Sequence, residues 1–154
     1  HRRSRRPPRD PVNALMSFTY GLVLTEVIGA LESVGLDPQV GFLHCPRPGR
    51  PSLALDLLEE FRPALADRFS LAALRRGQVT VDDFEARAGH AVYLTDDGRK
   101  KVLRLYETHR QRSVPHPLLD RSVPVAMLPS VQATLLARHL RGDLPVYPPF
   151  TVIG

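Results

Sequence analysis

The residues best suited to chemistry lie in one short stretch, between residues 41 and 63. His44 ends an apolar run, a loop rich in proline and arginine follows, and a helical pattern then presents Asp56 and Glu59. Residues three apart share one face of a helix, and an imidazole with nearby carboxylates is a donor set that a divalent metal can use. This spacing makes a metal site a candidate.

Each of these residues also has a purely structural interpretation. A single histidine is more often a hydrogen-bonded structural residue than a ligand, and the two carboxylates could form a solvated helix face. The combination favours the metal, because leucines at 55, 57 and 58 place the acidic face at the border of the core. Cys45 could act as a thiolate nucleophile, but adjacent residues usually point apart and no second base is indicated.

Composition predicts one mainly helical domain. The chain has 154 residues, of which 43% are hydrophobic and only 6% aromatic, so leucine, valine and alanine must build the core. A single cysteine excludes an intrachain disulfide, and neither a G-x-x-x-x-G-K motif nor a paired CxxC is present. No uninterrupted apolar run reaches the ~18 residues of a membrane span, and no signal-peptide pattern occurs, so no membrane partner is expected. The chain begins with His1, which favours a start partway through a longer protein.

Positive charge is concentrated at the start of the chain. The formal net charge is +5, and residues 1–10 hold five arginines and one aspartate. A basic run beside prolines is typical of an exposed segment, so residues 1–10 are predicted to form a basic linker or arm. Its candidates for DNA phosphate contact are Arg2, Arg3, Arg5 and Arg6, and a solvated linker is the alternative.

Local signals predict the helices that must position the candidate site. Asp10 is predicted to cap a long helix that continues to Val34. Its polar members could line a site, face solvent or bond to neighbouring turns, and they are Asn13, Ser17, Tyr20, Thr25 and Glu26. A second helix is predicted to begin with Ser52 as its N-cap. Pro63 is predicted to break or kink it before the pattern resumes over residues 64–76.

The second half of the chain predicts a hairpin and two more helices. Residues 78–94 favour a small hairpin, and Thr95 is expected to cap a helix over residues 98–111. Residues 114–124 contain three prolines and are predicted to be a loop. A final helix is predicted from Val125 or Ser130 to Leu140, and Tyr147 and Phe150 of the extended tail could pack back on the body.

A second motif competes with the candidate metal stretch. HAVYLTDDGRKKVL, residues 90–103, is similar to the wing strand and following helix of winged-helix regulators. In that interpretation the basic face between Arg99 and Arg110 contacts phosphates. The stretch from His44 to Arg62 would then have no explanation.

Ordered blocks across nearly the whole chain resemble the C-terminal lobe of the CRISPR-associated integrase Cas1. They are DPVNALMSF, GFLH, LALDLLEEFRP and YLTDDGRKKVL, and the similarity extends from about residue 5 to residue 150. The resemblance implies a mainly α fold, a multi-helix bundle with a small β-hairpin insert, as the C-terminal lobe of a larger two-lobed protein. Residues 11–150 would form the α-helical catalytic lobe, and the family's N-terminal β-rich lobe, which mediates dimerisation, is absent from this chain.

The same resemblance implies a site. In the family, a glutamate on an upstream helix, the histidine of GFLH and an acidic residue on the following helix bind Mg²⁺ or Mn²⁺. His44 and Glu59 match the metal ligands, and Asp56 matches a supporting catalytic carboxylate. Arg47 and Arg62 match basic positions near the scissile phosphate, and Arg50 is assigned to DNA binding with them. The upstream glutamate has no counterpart in this sequence.

The implied function is metal-dependent integration and cleavage of DNA in CRISPR adaptation. The 3′-hydroxyl of a short DNA fragment would attack a phosphodiester at the leader-repeat end of the array, which inserts a new spacer. Implied partners are the double-stranded DNA of prespacer and repeat, a Cas2 dimer, a homodimer of the integrase with four copies per complex, and Cas4, in the cytoplasm. The alternatives are a non-catalytic winged-helix DNA-binding module and a non-catalytic integrase-like subunit, which the absent glutamate would allow.

Overall fold

The computed structural model describes residues 7–44 and 47–151. Within these ranges, five α-helices and two β-hairpins are arranged with one long helix at the centre. The helices are α1 (Pro11–Ser33), α2 (Ser52–Phe61), α3 (Arg68–Arg75), α4 (Asp96–Arg110) and α5 (Leu128–Leu140). The strands are β1 (Phe84–Arg87), β2 (Ala91–Leu94), β3 (Ser113–His116) and β4 (Arg121–Pro124). The predicted mainly α fold with a small hairpin is confirmed.

Helix α1 is the centre of the core. Asp10 caps it as predicted, since its Oδ1 accepts the Asn13 N–H at 2.8 Å. Four apolar side chains of α1 are fully buried, Leu15, Val23, Val27 and Leu31, and the helix contacts α2, α3, α5 and β2. Among the described helices, only α1 has the length and apolar content of a membrane span, a property that core helices share with spanning ones. Its packing inside the bundle accounts for that composition.

The chain does not break at Pro63. A six-residue π-helical segment, Arg62–Asp67, joins α2 to α3, so the helical path continues through the proline that cannot donate a hydrogen bond. Phe61, Leu65 and Phe69 are buried along this path. The π turn therefore keeps one apolar side on the core while the opposite side faces solvent.

The first hairpin forms where it was predicted. Strands β1 and β2 pair antiparallel, with Phe84 opposite Leu94 and Arg87 opposite Ala91. The Val92 N–H donates to the carbonyl of Pro8 at 2.8 Å, and Pro8 is buried. The end of the predicted basic arm is thus attached to β2. Its arginine candidates Arg2, Arg3, Arg5 and Arg6 lie outside the described residues.

The prediction of a loop over residues 114–124 is wrong. Strands β3 and β4 form a second antiparallel hairpin there, with Val114 opposite Val123 and His116 opposite Arg121. A two-stranded ribbon consists of two edges, and an edge tolerates proline where the missing N–H would face away from the partner. Val123 and His116 are buried, and their burial stabilises this hairpin. The low strand propensity of the segment gave no sign of it in the sequence.

The C-terminal part packs on the body. A 3₁₀ turn, Val125–Met127, leads into α5, which begins between the two predicted starts and ends at Leu140 as predicted. Phe150 is buried, and its ring lies 5.9 Å from that of Phe61. The predicted return of the tail to the body is confirmed.

Candidate functional site

Asp56 holds the loop that presents His44. Its Oδ2 accepts the backbone N–H groups of Phe42 and Leu43 at 2.6 and 2.9 Å. Its Oδ1 accepts the backbone N–H of His44 at 3.0 Å and lies 2.5 Å from Nδ1 of the same residue. One carboxylate on α2 therefore fixes both the path of the loop and the ring at its end.

Close approach of this loop to α2 requires a glycine. A Cβ on Gly41 would lie 2.7 Å from the Cβ of Ser52 and 2.8 Å from Oδ2 of Asp56. Distances of this size are far inside van der Waals contact, so a side chain at position 41 would push the loop away from the helix. The glycine of the GFLH block is thus a packing requirement.

The start of α2 differs from its prediction. Ser52 was expected to be the N-cap, but it is the first helical residue and is buried. The carbonyl of Pro38 accepts the N–H groups of Leu53 and Ala54 at 2.8 and 3.2 Å. Because a backbone carbonyl of the preceding loop satisfies these free amides, the helix needs no side-chain cap.

The charge state of Asp56 decides which ring nitrogen of His44 has a lone pair free to bind a ligand. Burial alone would raise the pKa of Asp56, but the hydrogen bonds from His44, Leu43 and Phe42 together lower it below its usual range. An ionised carboxylate can only accept, so Nδ1 of His44 must carry the hydrogen. The lone pair of the neutral ring then lies on Nε2, as in histidines that bind metals through one nitrogen and donate through the other.

Glu59 lies one turn further along α2 and is paired with an arginine. Nη1 of Arg62 donates to Oε1 and Oε2 of Glu59 at 2.6 and 2.7 Å. This hydrogen bond raises the pKa of Arg62. The guanidinium carbon lies 5.1 Å from the centre of the Tyr20 ring, and the Tyr20 hydroxyl donates to Asp67. The Arg62 guanidinium is therefore held between the Glu59 carboxylate and the Tyr20 ring.

His44 and Glu59 line one open groove of about 1560 Å³. Arg47, Arg50 and Arg62 line the same groove, so the structure brings together all the predicted site residues that it describes except the enclosed Asp56. Helix α1 contributes Asn13, Ser17 and Tyr20, which the sequence left undecided. Their spacing of four and three residues places them on one face of α1, which is the signal that could have separated them from Thr25 and Glu26, which do not line the groove. Cys45 lies outside the described residues.

The back of α2 is anchored by Glu60. Its carboxylate accepts the Tyr147 hydroxyl at 2.9 Å, Nε2 of Gln132 at 3.0 Å and the Phe150 N–H at 2.8 Å. Burial raises the pKa of Glu60, and these three donors oppose that effect. Sequence reasoning missed this anchor because its partners are 72 to 90 residues away.

The donor types fit a divalent metal, but the described residues do not complete a site. Nε2 of His44 and the carboxylate of Glu59 are the kinds of ligand that Mn²⁺ and Mg²⁺ accept. Within residues 7–44 and 47–151, no group of three or more histidine, cysteine, aspartate or glutamate side chains converges on one point. The lobe therefore offers two donors and an orienting carboxylate.

The family of the chain follows from comparison with known proteins. The family model described as CRISPR associated protein Cas1 matches residues 1–108. The chain belongs to the Cas1 family. The CRISPR-associated endonuclease Cas1 2 of Rhodospirillum rubrum is 55% identical over 148 residues, which are 96% of this chain and 43% of that protein. The chain thus spans less than half the length of this Cas1 relative.

Solved structures agree with this assignment. TM1797, a Cas1 protein from Thermotoga maritima, has a TM-score of 0.82 and 33% identity, over 92% of this chain and 43% of that one. A casposase bound to integration product has a TM-score of 0.82 and 26% identity, over 92% of this chain and 40% of that one. The fold of this chain is that of the C-terminal lobe of Cas1.

The Cas1 match also covers the competing motif at residues 90–103. Hairpin β1–β2 and helix α4 therefore belong to the Cas1 lobe. Four cations of α4 form ion pairs: Arg99 with Asp96, Lys100 with Asp97, Lys101 with Asp83 and Arg110 with Glu26. The pairs of Arg99 and Lys100 are exposed and therefore weak, so the Cas1 match, and not this pairing, is the finding against the winged-helix interpretation.

Proposed function

We propose that the protein containing this lobe is a metal-dependent DNA integrase and endonuclease of CRISPR adaptation. The observation that carries the proposal is that His44 and Glu59 line one groove together with three arginines, in a Cas1-family fold. Relatives named as Cas1 endonucleases and a structural neighbour bound to integration product support it.

The residues of this chain have distinct roles in the proposed reaction. His44, through Nε2, and Glu59 would hold Mg²⁺ or Mn²⁺, and Asp56 would keep the imidazole in the ligating tautomer. The bound metal would supply charge neutralisation at the phosphate and would lower the pKa of the attacking hydroxyl. The upstream glutamate that the family resemblance implies would complete the set.

Catalysis of this kind depends on positioning and charge more than on a nucleophilic side chain. The 3′-hydroxyl of the incoming fragment would give its proton to water, and its oxygen would form a bond to phosphorus while the bond to the leaving 3′-oxygen breaks. The leaving oxygen would take up a proton from water. Arg47, Arg50 and Arg62 would hold the flanking phosphate oxygens, which neutralises charge without a covalent enzyme intermediate.

The wider assignment extends the proposal to the whole protein. Residues 11–150 would be the catalytic lobe, residues 1–10 a basic arm, and a β-rich lobe would precede them. The substrates would be prespacer and repeat DNA, with insertion at the leader-repeat end. The partners would be a Cas2 dimer, a second integrase copy within a complex of four, and Cas4, all in the cytoplasm.

A non-catalytic integrase-like subunit is the second candidate. The described residues supply no group of three metal ligands, which fits such a subunit and also fits an enzyme whose third ligand lies upstream. The two candidates differ in a measurable way, because only the enzyme requires His44 and Glu59 for turnover.

The test is integration of a labelled fragment by the full-length protein with Mn²⁺. We expect His44→Ala and Glu59→Gln to lower the rate at least ~100-fold, as removal of metal ligands does, while the fold and the DNA affinity are retained. His90→Asn and Glu32→Gln change exposed residues that do not line the groove and serve as matched controls. Full activity in both site variants would overturn the site, and an inactive wild-type protein would support the non-catalytic subunit.

A further inference from the structure

A second cavity lies beside the π-helical junction, outside the groove that contains His44. It has a volume of about 510 Å³, and its lining includes Asp67 and, on α3 and just after it, Arg68, Leu71, Arg75 and Arg76. None of these arginines was assigned to the proposed site. We call the three of them the α3 arginine surface.

The charge of this surface is presented to solvent. All three arginines are exposed. None of them forms an ion pair with another described residue. The nearby carboxylate of Asp67 accepts the Tyr20 hydroxyl. The cavity is therefore rich in positive charge that the described part of the fold leaves without a counter-ion.

The spacing of the arginines suits a charged polymer. Arg68 and Arg75 are seven residues apart, which places them on one face and about 10 Å apart along the helix axis. Measured along the axis of a DNA duplex, that distance corresponds to about three phosphates of one strand. A guanidinium donates in a fork that matches phosphate oxygens, so arginine is well suited to this contact.

The surface adjoins the proposed site. Arg62 lines the groove and the next residue, Pro63, lines the second cavity. Tyr20 lines the groove and donates to Asp67, which lines the second cavity. The two cavities are therefore neighbours at the α2–α3 junction, separated by the Arg62–Pro63 step and the Tyr20–Asp67 pair, and DNA that extends past the groove at this end would reach the α3 arginine surface.

We propose that the α3 arginine surface binds backbone phosphates of the DNA that flanks the reacting phosphodiester. This inference rests on the proposed function and adds a second contact area outside the site. Adjacency to the groove and the excess of three arginines over one carboxylate in the lining favour DNA. The exposed Leu71 at the centre is the feature that a protein partner could use instead, and the test distinguishes the two.

The test measures affinity of the full-length protein for a fluorescein-labelled duplex at several salt concentrations. The triple variant Arg68→Ala, Arg75→Ala, Arg76→Ala should bind more weakly and should reduce the slope of log K against log salt by about 0.9 for each phosphate that the protein no longer neutralises. The charge-retaining variant Arg68→Lys, Arg75→Lys, Arg76→Lys should keep most of the slope of log K against log salt that the parent protein shows. The matched control, Arg112→Ala, Arg121→Ala, Arg138→Ala, removes three exposed charges that line neither cavity and should leave the slope unchanged.

Two results would overturn the inference. An unchanged slope in the alanine triple would exclude the phosphate contacts, and if that variant also failed to co-purify with Cas2 the surface would belong to a protein partner. An equal reduction of the slope in the control triple would show a general charge effect. Failure of the proposed function is separable, because it would appear as full activity of His44→Ala whatever the DNA affinity of the α3 variants.

Discussion

Asp56 and His44 form a carboxylate–imidazole pair in which Oδ1 lies 2.5 Å from Nδ1, on a loop that the same carboxylate holds by three backbone amides. The pair fixes the orientation of the ring within the described structure. Asp56 is nearly enclosed, so in the proposed metal site it would orient His44 rather than bind the metal itself.

The first prediction concerns Asp56→Asn. The amide keeps the size of the side chain, but it replaces one acceptor with a donor, so either the amides on that oxygen or the ring is left without an acceptor. We expect Mn²⁺ affinity to fall about 10- to 100-fold and the free energy of unfolding to fall by about 1–3 kcal/mol. Isothermal titration and urea denaturation of the full-length protein measure the two effects. Unchanged Mn²⁺ affinity would contradict the orienting role.

The second prediction concerns Gly41→Ala. The added methyl would lie 2.7 Å from Ser52, so the loop must move away from α2 and the hydrogen bonds to Asp56 must lengthen. We expect a lower melting temperature and a weaker metal site. Gly29→Ala is the matched control, since nothing lies within 4 Å of its added methyl and α1 should gain roughly 0.5–1 kcal/mol. Equal stability of the two variants would refute the packing argument.

The third prediction concerns Arg62→Gln. In the structure Arg62 occupies both oxygens of Glu59, so a metal must compete with it for this carboxylate. The pair is partly exposed, and its strength is on the order of 1 kcal/mol or less. We expect severalfold tighter Mn²⁺ binding by electron paramagnetic resonance titration, together with weaker DNA binding. Arg112→Gln should change neither, and weaker Mn²⁺ binding by the Arg62 variant would count against competition.

The fourth prediction concerns Tyr147→Phe. It removes the hydroxyl that donates to the partly buried Glu60 and leaves Gln132 and Phe150 as the remaining donors. We expect the free energy of unfolding to fall by about 1–2 kcal/mol. Tyr93→Phe, on a partly exposed ring, should stay within about 0.5 kcal/mol of the parent protein. Urea denaturation of both variants measures these changes, and equal losses in the two variants would contradict the anchoring role of Tyr147.

The fifth prediction concerns acid stability. Burial would raise the pKa of Asp83, but its interactions with Lys101 and Thr80 lower it below the usual range. A lowered folded pKa stabilises the fold above the unfolded pKa of about 3.9, and this stabilisation disappears as the pH falls through the folded pKa. Melting temperatures followed below pH 4 should therefore decrease less steeply for Asp83→Asn than for the parent. If the melting temperatures of the variant and the parent decreased in parallel below pH 4, Asp83 would not contribute to the loss of stability in acid.

Local signals predicted the elements whose causes are local. Asp10 and Thr95 cap α1 and α4 through residues three positions away, and both caps were predicted. The β3–β4 hairpin was missed because its prolines argue against strands, whereas burial of Val123 decides in its favour. Resemblance assigned Asp56 and Arg62 to the site, but their contacts could not be predicted, since those depend on where the loop and the Tyr20 ring lie after packing.

Glu59 and Glu60 are consecutive residues with opposite surroundings, one at the groove and the other bound to the C-terminal segment. Helix α2 cannot rotate about its axis without giving up the three donors of Glu60. The direction in which Glu59 points is therefore set from the far side of the helix, by Gln132, Tyr147 and Phe150. If Glu59 is a metal ligand as proposed, a substitution near Tyr147 would disturb the metal site by turning this carboxylate, without touching the groove itself.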